Sequence, residues 1–264
     1  MSQTTAPGTR PEGLEGDREI SRWVRRMFDG VAPRYDLLNH VLSFGTDHYW
    51  RWRTVRRLAG MLSRPVRAVD LCCGSGDLLI ALQRRAPGMT VFGSDFSHQM
   101  LRACNSKLSS GSLRAKIFES DAMQLPLASG SMDLITVAFG FRNLVNYRGG
   151  LAEMMRVLRP GGTAAILEFS TPPNQLFGAF YRFYSTRVLP RIGAMISGVP
   201  EAYTYLPESV RKFPAAPELA AEMRAAGFAN VEFKHMTFGI VALHIGVKRM
   251  EALVHSKCLE VSNS

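Results

Sequence analysis

Cysteine is scarce in this chain of 264 residues: there are four, of which Cys72 and Cys73 are adjacent and Cys104 and Cys258 are isolated. That excludes a disulfide framework, and no spacing among them suits a zinc site. No apolar run approaches the roughly 18 residues that a membrane-spanning helix needs. Residues 1–20 also lack the apolar core of a secretory signal. A reducing, cytoplasmic location is the expectation. Acids are the other shortage, with 22 Asp and Glu against 32 Lys and Arg and a net charge of +10. With 46% hydrophobic and 20% charged residues, the composition is that of a folded chain and excludes disordered, collagen-like and coiled-coil classes.

The excess charge is unevenly placed. Residues 22–67 hold ten arginines against three acids (Asp29, Asp36 and Asp47), which is +7 of the +10, and all three tryptophans. Arginine with tryptophan suits a nucleic-acid surface, an anionic membrane surface, or simply a solvated face over buried aromatics. In residues 47–62, Trp52, Val55, Ala59 and Leu62 share one face at helical spacing. Trp50 then falls on the other face with Arg53 and Arg57, which favours an interacting surface there.

Residues 1–18 and 249–264 read as flexible tails around a single domain at 19–248. The stretch 19–64 reads as a helical extension. From Pro65 the pattern alternates, with strands predicted at 66–71, 90–95, 115–119, 132–139 and 163–169 and helices at 77–85, 97–107 and 148–158. Arg159-Pro160-Gly161-Gly162 reads as a break before the fifth strand. Residues 170–206 interrupt the alternation with an aromatic-rich insertion that reads as a helical lid. A helix at 217–226 and a hairpin at 231–247 follow. This order predicts an α/β, doubly wound, Rossmann-like fold: a seven-stranded sheet, mostly parallel, with a C-terminal antiparallel hairpin.

The first strand runs into Asp70-Leu71-Cys72-Cys73-Gly74-Ser75-Gly76-Asp77. A glycine-rich turn here lets a ligand approach the backbone closely. The third glycine of a dinucleotide-binding turn is replaced by Leu79, and Asp77 sets a competing anion where a pyrophosphate would sit. A phosphate-free ligand such as S-adenosylmethionine fits better, with Asp70, Gly74, Ser75 and Gly76 as its contacts. Asp95, 19 residues beyond Gly76, ends the second strand where a carboxylate can accept from both ribose hydroxyls. Asp121 and Ala122 follow the third strand, within reach of the adenine, and Ala138 ends the fourth beside the methyl-donor end.

The segment from Phe28-Asp29-Gly30-Val31-Ala32-Pro33-Arg34-Tyr35-Asp36 through Leu42-Ser43-Phe44-Gly45 to Trp50-Arg51 opens an ordered set of motifs. It continues with Phe139-Gly140-Phe141-Arg142-Asn143, Leu167-Glu168-Phe169-Ser170, Tyr205-Leu206-Pro207-Glu208-Ser209-Val210 and His244-Ile245-Gly246-Val247-Lys248. Together they resemble the ubiquinone/menaquinone biosynthesis C-methyltransferases, a class I S-adenosylmethionine-dependent family, over residues 20–248. Three positions depart from that pattern. Asp47 stands where the family has histidine, with His48 next to it, Ala138 stands in place of serine, and Thr237-Phe238-Gly239 replaces a T-G-G.

The resemblance implies methylation of a ring carbon of a polyprenylated quinol, such as demethylmenaquinol, with no metal and no nucleic acid as partner. Methylation of the ubiquinone precursor alone, a nucleic-acid methyltransferase and a non-catalytic cofactor-binding subunit are the alternatives. Against a nucleic-acid substrate, no Asn/Asp-Pro-Pro-aromatic motif follows the fourth strand. A phenol-like pKa of about 10 means that the ring hydroxyl needs help to ionise near neutrality. Arg142 is the expected holder of the oxyanion and Glu168 the expected proton acceptor. Tyr35, Asn143 and Tyr205 are further candidates, as is a water held by Arg142. A substrate with a prenyl tail resides in the bilayer, so reversible association with anionic membranes through residues 22–67 and the lid is expected. Self-association is compatible with all of this.

Overall fold

The computed structural model describes residues 8–188, 191 and 200–250. The lid residues Met195 and Ile196, and the expected C-terminal tail beyond Met250, lie outside them. The strands are β1 (Arg67–Leu71), β2 (Thr90–Asp95), β3 (Lys116–Glu119), β4 (Met132–Ala138), β5 (Leu158–Phe169), β6 (Phe228–Met236) and β7 (Val241–Lys248). They form one seven-stranded sheet in the order β3-β2-β1-β4-β5-β7-β6. The first five are parallel, and β7 inserts antiparallel between β5 and β6. The predicted sheet is therefore the observed one. Its order reverses direction at β1, between β2 and β4, which opens a crevice at the carboxyl ends of these strands.

The helices are α1 (Asp17–Val31), α2 (Tyr35–Leu42), α3 (Thr46–Arg57), α4 (Asp77–Arg85), α5 (His98–Ser110), α6 (Tyr147–Val157), α7 (Gln175–Phe183), α8 (Pro200–Lys212) and α9 (Ala216–Ala225). Period-2 alternation divides the sheet's side chains between two cores. Leu134, Ala165 and Leu243 join α3, α4 and α5 on one face. Ile135, Ala164 and Ile166 join α6 and α9 on the other. A third cluster joins α1 and Leu38 of α2 to Met100 of α5 and Tyr205 of α8, and it caps the crevice.

Three expectations are corrected. The Arg159-Pro160-Gly161-Gly162 stretch belongs to β5, which begins at Leu158. Residues 8–10 are not a tail: Thr9 is buried, its N–H donates to Leu144 O at 2.8 Å, and α1 already begins at Asp17. The two tryptophans of α3 exchange places, while Val55 and Leu62 are buried as expected. Trp50 is 3% exposed, packs tilted against Phe139 and edge-on against Phe169, and donates from Nε1 to Thr237 Oγ1 at 2.7 Å, whereas Trp52 is 49% exposed beneath the Arg56 guanidinium. The buried stripe runs through Asp47, Trp50, Arg51, Thr54, Val55 and Leu58. Half of it is polar, because Asp47 and Arg51 form an internal ion pair, so hydrophobic periodicity set the stripe about half a turn off and misplaced the two tryptophans.

Truncation separates the two tryptophans. Trp50→Ala should cost about 3–5 kcal/mol of unfolding free energy, as for other large aromatics removed from a core. Trp52→Ala should stay within about 1 kcal/mol. Urea denaturation measures both, and comparable losses would contradict this orientation of α3.

Candidate active site: two clefts that share a wall

The loops after β1, β2, β3 and β4 line a cleft of about 660 Å³, its open mouth included. Asp95 ends β2 on its wall and is 6% exposed. Its Oδ2 accepts from Gly74 N at 2.8 Å and its Oδ1 from Ser97 N at 2.9 Å, which fixes the carboxylate between the two turns. Burial outweighs these hydrogen bonds and pushes its pKa up to about 6. Gly74 has φ +54°, and the Tyr35 ring passes 3.7 Å from where a Cβ would stand. Asp121 and Ala122 line the same cleft, as do Phe28, Phe96 and Met123. Such a cleft, with backbone at Gly74, a carboxylate at Asp95 and apolar flanks, fits a nucleoside bearing an amino-acid tail.

Four expected contact residues do not line it. Asp70 lies beneath the turn, accepts from Thr136 Oγ1 at 2.6 Å, and is pushed by burial up to about 7. Ser75 turns away to donate to Asp36 and accept from Lys107 at 3.1 Å. Gly76 serves packing: at φ +89°, a Cβ there would lie 2.5 Å from Cys104 Sγ of α5. Ala138 packs into the sheet core, and the wall after β4 is Phe139 and Gly140 instead. Phe139 has φ +59° and Cys72 φ +50°, and a Cβ on Gly140 would fall 2.3 Å from Cys72 Cβ. The ends of β1 and β4 thus meet in close contact, with two non-glycine residues held at positive φ beside the cleft. Asn143, Leu144 and Val145 complete this wall, and of these only Asn143 stood out in the sequence, through the F-G-x-R-N segment.

A second, larger cleft of about 1550 Å³ lies behind Phe28, Tyr35 and Phe139, which line both. Aromatic and aliphatic side chains dominate it, including Trp50, Phe169, Phe177, Phe180, Tyr181 and Tyr184, so the described part of the predicted lid, in α7 and the turn after it, forms one side. Two buried cations line it: Arg51, which pairs with Asp47, and Arg142. The Arg142 guanidinium donates to Phe139 O, to Glu168 Oε1 at 3.0 Å and to Ser209 Oγ at 3.3 Å, and lies 5.2 Å from the Phe169 ring centroid.

Glu168 does not act as expected. It is fully buried, lines neither cleft, and also accepts from the backbone N–H of Arg142 (3.1 Å) and of Phe169 (2.9 Å). Its oxygens are committed to holding Arg142, so it is a counter-ion and not a group that meets a ligand. Tyr35 does face both clefts, but burial raises its phenol above 10, so near neutrality it is a donor and not a base. Asp47 is the carboxylate on the apolar cleft. Burial opposes its charge, yet Arg51 and Ser43 hold it below the usual carboxylate range. His244, in the last of the quoted motifs, is buried, donates from Nε2 to Ala216 O at 2.9 Å and is lowered by burial to about 4, so it is a neutral structural group.

A crevice at the topological switch point, a cleft with an acid at the end of β2, and an adjoining apolar cleft are the arrangement of a class I S-adenosylmethionine-dependent methyltransferase. Solved structures of similar fold include the [4+2]-cyclase SpnF (TM-score 0.61, 15% identity, 94% of this chain and 98% of that one). An S-adenosylmethionine-dependent methyltransferase from Thermotoga maritima is another (TM-score 0.59, 16% identity, 85% and 99%). Sequence narrows the class: the chain belongs to the ubiE/COQ5 methyltransferase family, whose model matches residues 16–248. It is 48% identical to a demethylmenaquinone methyltransferase of Thermus thermophilus, over 83% of this chain and 99% of that one. Against the protein of the same name from Deinococcus radiodurans, identity is 46% over 93% of this chain and the whole of the relative. A ubiquinone/menaquinone biosynthesis C-methyltransferase of Geobacter sulfurreducens is 40% identical over 86% and 89%.

Asp70 makes the folded state sensitive to pH. Its folded pKa of about 7 lies above the roughly 3.9 of an unfolded aspartate, so the folded chain binds the extra proton between these values. Stability therefore falls as pH rises through that window, by at most about 1.4 kcal/mol per unit for one proton. Asp70→Asn should flatten this slope and be the more stable protein at pH 8. Urea unfolding at pH 5, 6, 7 and 8 measures it, and parallel curves would show that Asp70 is not desolvated.

Proposed function

We propose that the protein transfers a methyl group from S-adenosylmethionine to a ring carbon of a polyprenylated quinol, demethylmenaquinol in menaquinone biosynthesis or its counterpart in ubiquinone biosynthesis. The observation that carries this is the wall of Phe28, Tyr35 and Phe139 shared by the polar nucleoside cleft and an apolar cleft whose buried arginines are Arg51, paired with Asp47, and Arg142. The names of the relatives support the same substrate class.

In this reading Asp95 accepts from the ribose hydroxyls, Asp121 and Ala122 meet the adenine, and the Gly74 backbone lies along the amino-acid end. The cofactor, when bound, supplies a methyl group made electrophilic by its sulfonium. The chain supplies the rest. Aromatic walls exclude water and hold the quinol ring for in-line approach, since reacting atoms need to lie about 3–3.5 Å apart. Arg142, already oriented by Glu168 and Phe139 O, holds the ring oxygen as it becomes anionic. That charge stabilises the ionised hydroxyl and makes the neighbouring carbon nucleophilic. With Glu168 committed and Asp47 weakly basic, the hydroxyl proton leaves to water beside Arg142; once the ring carbon carries the methyl group, its own hydrogen leaves to water and the oxygen is re-protonated, which restores the aromatic quinol.

Two substitutions should divide the labour. Arg142→Ala should lower kcat by more than about tenfold with cofactor affinity close to wild type. Asp95→Ala should weaken S-adenosylmethionine binding by about 1.5–3 kcal/mol, the scale of hydrogen bonds to a charged acceptor. Calorimetric titration reads the second, and turnover of demethylmenaquinol and of the ubiquinone precursor side by side reads the first and decides between substrates. Loss of cofactor binding in Arg142→Ala, or unchanged affinity in Asp95→Ala, would overturn the assignments.

The rim of the apolar cleft supports reversible membrane association. Phe44 is 80% exposed and Phe180 67%. Both line the cleft, and Leu37, Val41, Leu176, Phe183 and Phe238 are exposed on the neighbouring segments. No helix among the described residues is long and apolar enough to cross a membrane. Arg182 and Arg187 of the lid segment are exposed beside the aromatics. Arginines near an anionic surface contribute on the order of 1 kcal/mol each. The expected docking element shifts accordingly: Trp50 is internal, so the lid and α2 lead and the arginines of α3 follow. Flotation should recover the protein with anionic liposomes at low salt and less with neutral ones. Phe44→Ser with Phe180→Ser should reduce recovery more than charge reversal of Arg53 and Arg57. Equal recovery on both lipids, or no effect of the paired serines, would remove this reading.

A further inference from the structure

Residues 8–10 precede the stretch matched by the family model, yet they are fastened to the cofactor cleft. Gly8 runs against Val145 so closely that a Cβ would lie 2.0 Å from its carbonyl oxygen. Thr9 N donates to Leu144 O at 2.8 Å. Arg10 Nη1 donates to Val145 O at 2.8 Å, and Lys212 of α8 donates to Arg10 O at 2.7 Å. Leu144 and Val145 line the cofactor cleft, so this short strap forms the back of its wall.

The side chain of Thr9 carries the consequence. It is 3% exposed, and its Oγ1 lies 2.8 Å from Tyr205 Oη. Tyr205 in turn donates to Asn143 Oδ1 at 3.0 Å. A phenol has one proton, and here it goes to Asn143, so the Thr9 hydroxyl is the donor in the first bond. The chain Thr9→Tyr205→Asn143 fastens the carbonyl end of the Asn143 amide. Its NH₂ end is thereby the one left for a ligand in the cleft that Asn143 lines. Trp23 packs edge-on against the Tyr205 ring, 5.3 Å between centroids, and limits its motion.

We infer that Thr9 is a positioning residue for cofactor binding: through Tyr205 it orients the Asn143 amide as a donor to an oxygen of the cofactor. A carboxylate is the strongest such acceptor that S-adenosylmethionine carries. The inference rests on the cofactor reading of the cleft but not on the quinol. Its test therefore uses S-adenosylhomocysteine binding to the full-length protein with no quinol present, followed by kinetics.

Thr9→Val keeps the shape and removes the donor, whereas Thr9→Ser keeps the donor. Thr9→Val should weaken S-adenosylhomocysteine binding roughly three- to tenfold, as for one buried hydrogen bond in a relay. KM for S-adenosylmethionine should rise with it while kcat at saturation stays near wild type. Thr9→Ser should stay within about twofold of wild type. Tyr205→Phe should reproduce the loss, and adding Thr9→Val to it should cost little more, because the two act through one relay. Wild-type affinity in Thr9→Val would overturn the inference. So would a Thr9→Ser protein as weak as Thr9→Val, or additive losses in the double variant, since each would reduce the strap to packing.

Discussion

The apolar cleft depends on the buried ion pair between Arg142 and Glu168, 3.0 Å apart, in the turn after β4 and at the end of β5. Moving both charges out of water is expensive, and such a pair holds only if its remaining donors and acceptors are satisfied. Here they are: Glu168 takes two backbone N–H groups besides the guanidinium, and Arg142 reaches Phe139 O and Ser209 Oγ. Tyr147 closes the set by donating to Arg142 O at 3.1 Å. One pair thus ties the turn after β4 to the end of β5 and to α8. That turn also carries Phe139, Gly140 and Asn143, which on the cofactor side are held separately, by the packing of Gly140 against Cys72 and by the bonds from Thr9 through Tyr205 to Asn143.

A second ionic knot steadies the opposite side. Arg51 reaches Asp47 at 2.5 Å and Asp77 at 3.2 Å, and Lys107 joins Asp77 to Asp36. It fastens α2 and α3 to the turn after β1 and to α5. Tyr35 at the start of α2 is thereby held against Gly74. The helical extension is therefore part of the site and not an appendage to it. The extension and the insertion between β5 and β6 meet over the apolar cleft, where Tyr184 donates to Leu42 O at 3.1 Å.

The positive charge of the chain is divided between inside and outside. Arg51 and Arg142 are buried and paired, while Arg25 meets Glu119, Arg57 meets Glu232 and Arg148 meets Glu222 at the surface. Exposed pairs of this kind contribute little to stability, but they remove cations from any simple count of a basic patch. What distinguishes the rim of the apolar cleft is exposed aromatic area beside arginine, and not arginine density along the sequence.

Much of this was legible in the chain. Alternating apolar runs and turn residues are local signals, and they led correctly to the seven-stranded sheet, its antiparallel last pair and the position of Asp95 at the end of β2. The ordered motifs led to the family. The rest depended on where side chains meet across large sequence separations. Trp50 and Trp52 are two residues apart, and only the distant partners Thr237, Phe139 and Phe169 decide which is buried. Glu168 reads as a strand-end carboxylate of the kind that acts on ligands, until Arg142, 26 residues earlier, proves to occupy its oxygens. Ser75 and Gly76 read as ligand contacts because the turn is glycine-rich, yet Asp36, Lys107 and Cys104 from other helices claim that side of it. Sequence pattern determines the elements because backbone propensity and periodicity act over a few residues. Tertiary structure alone decides which polar groups remain for a ligand, because that depends on which partners arrive from elsewhere in the chain.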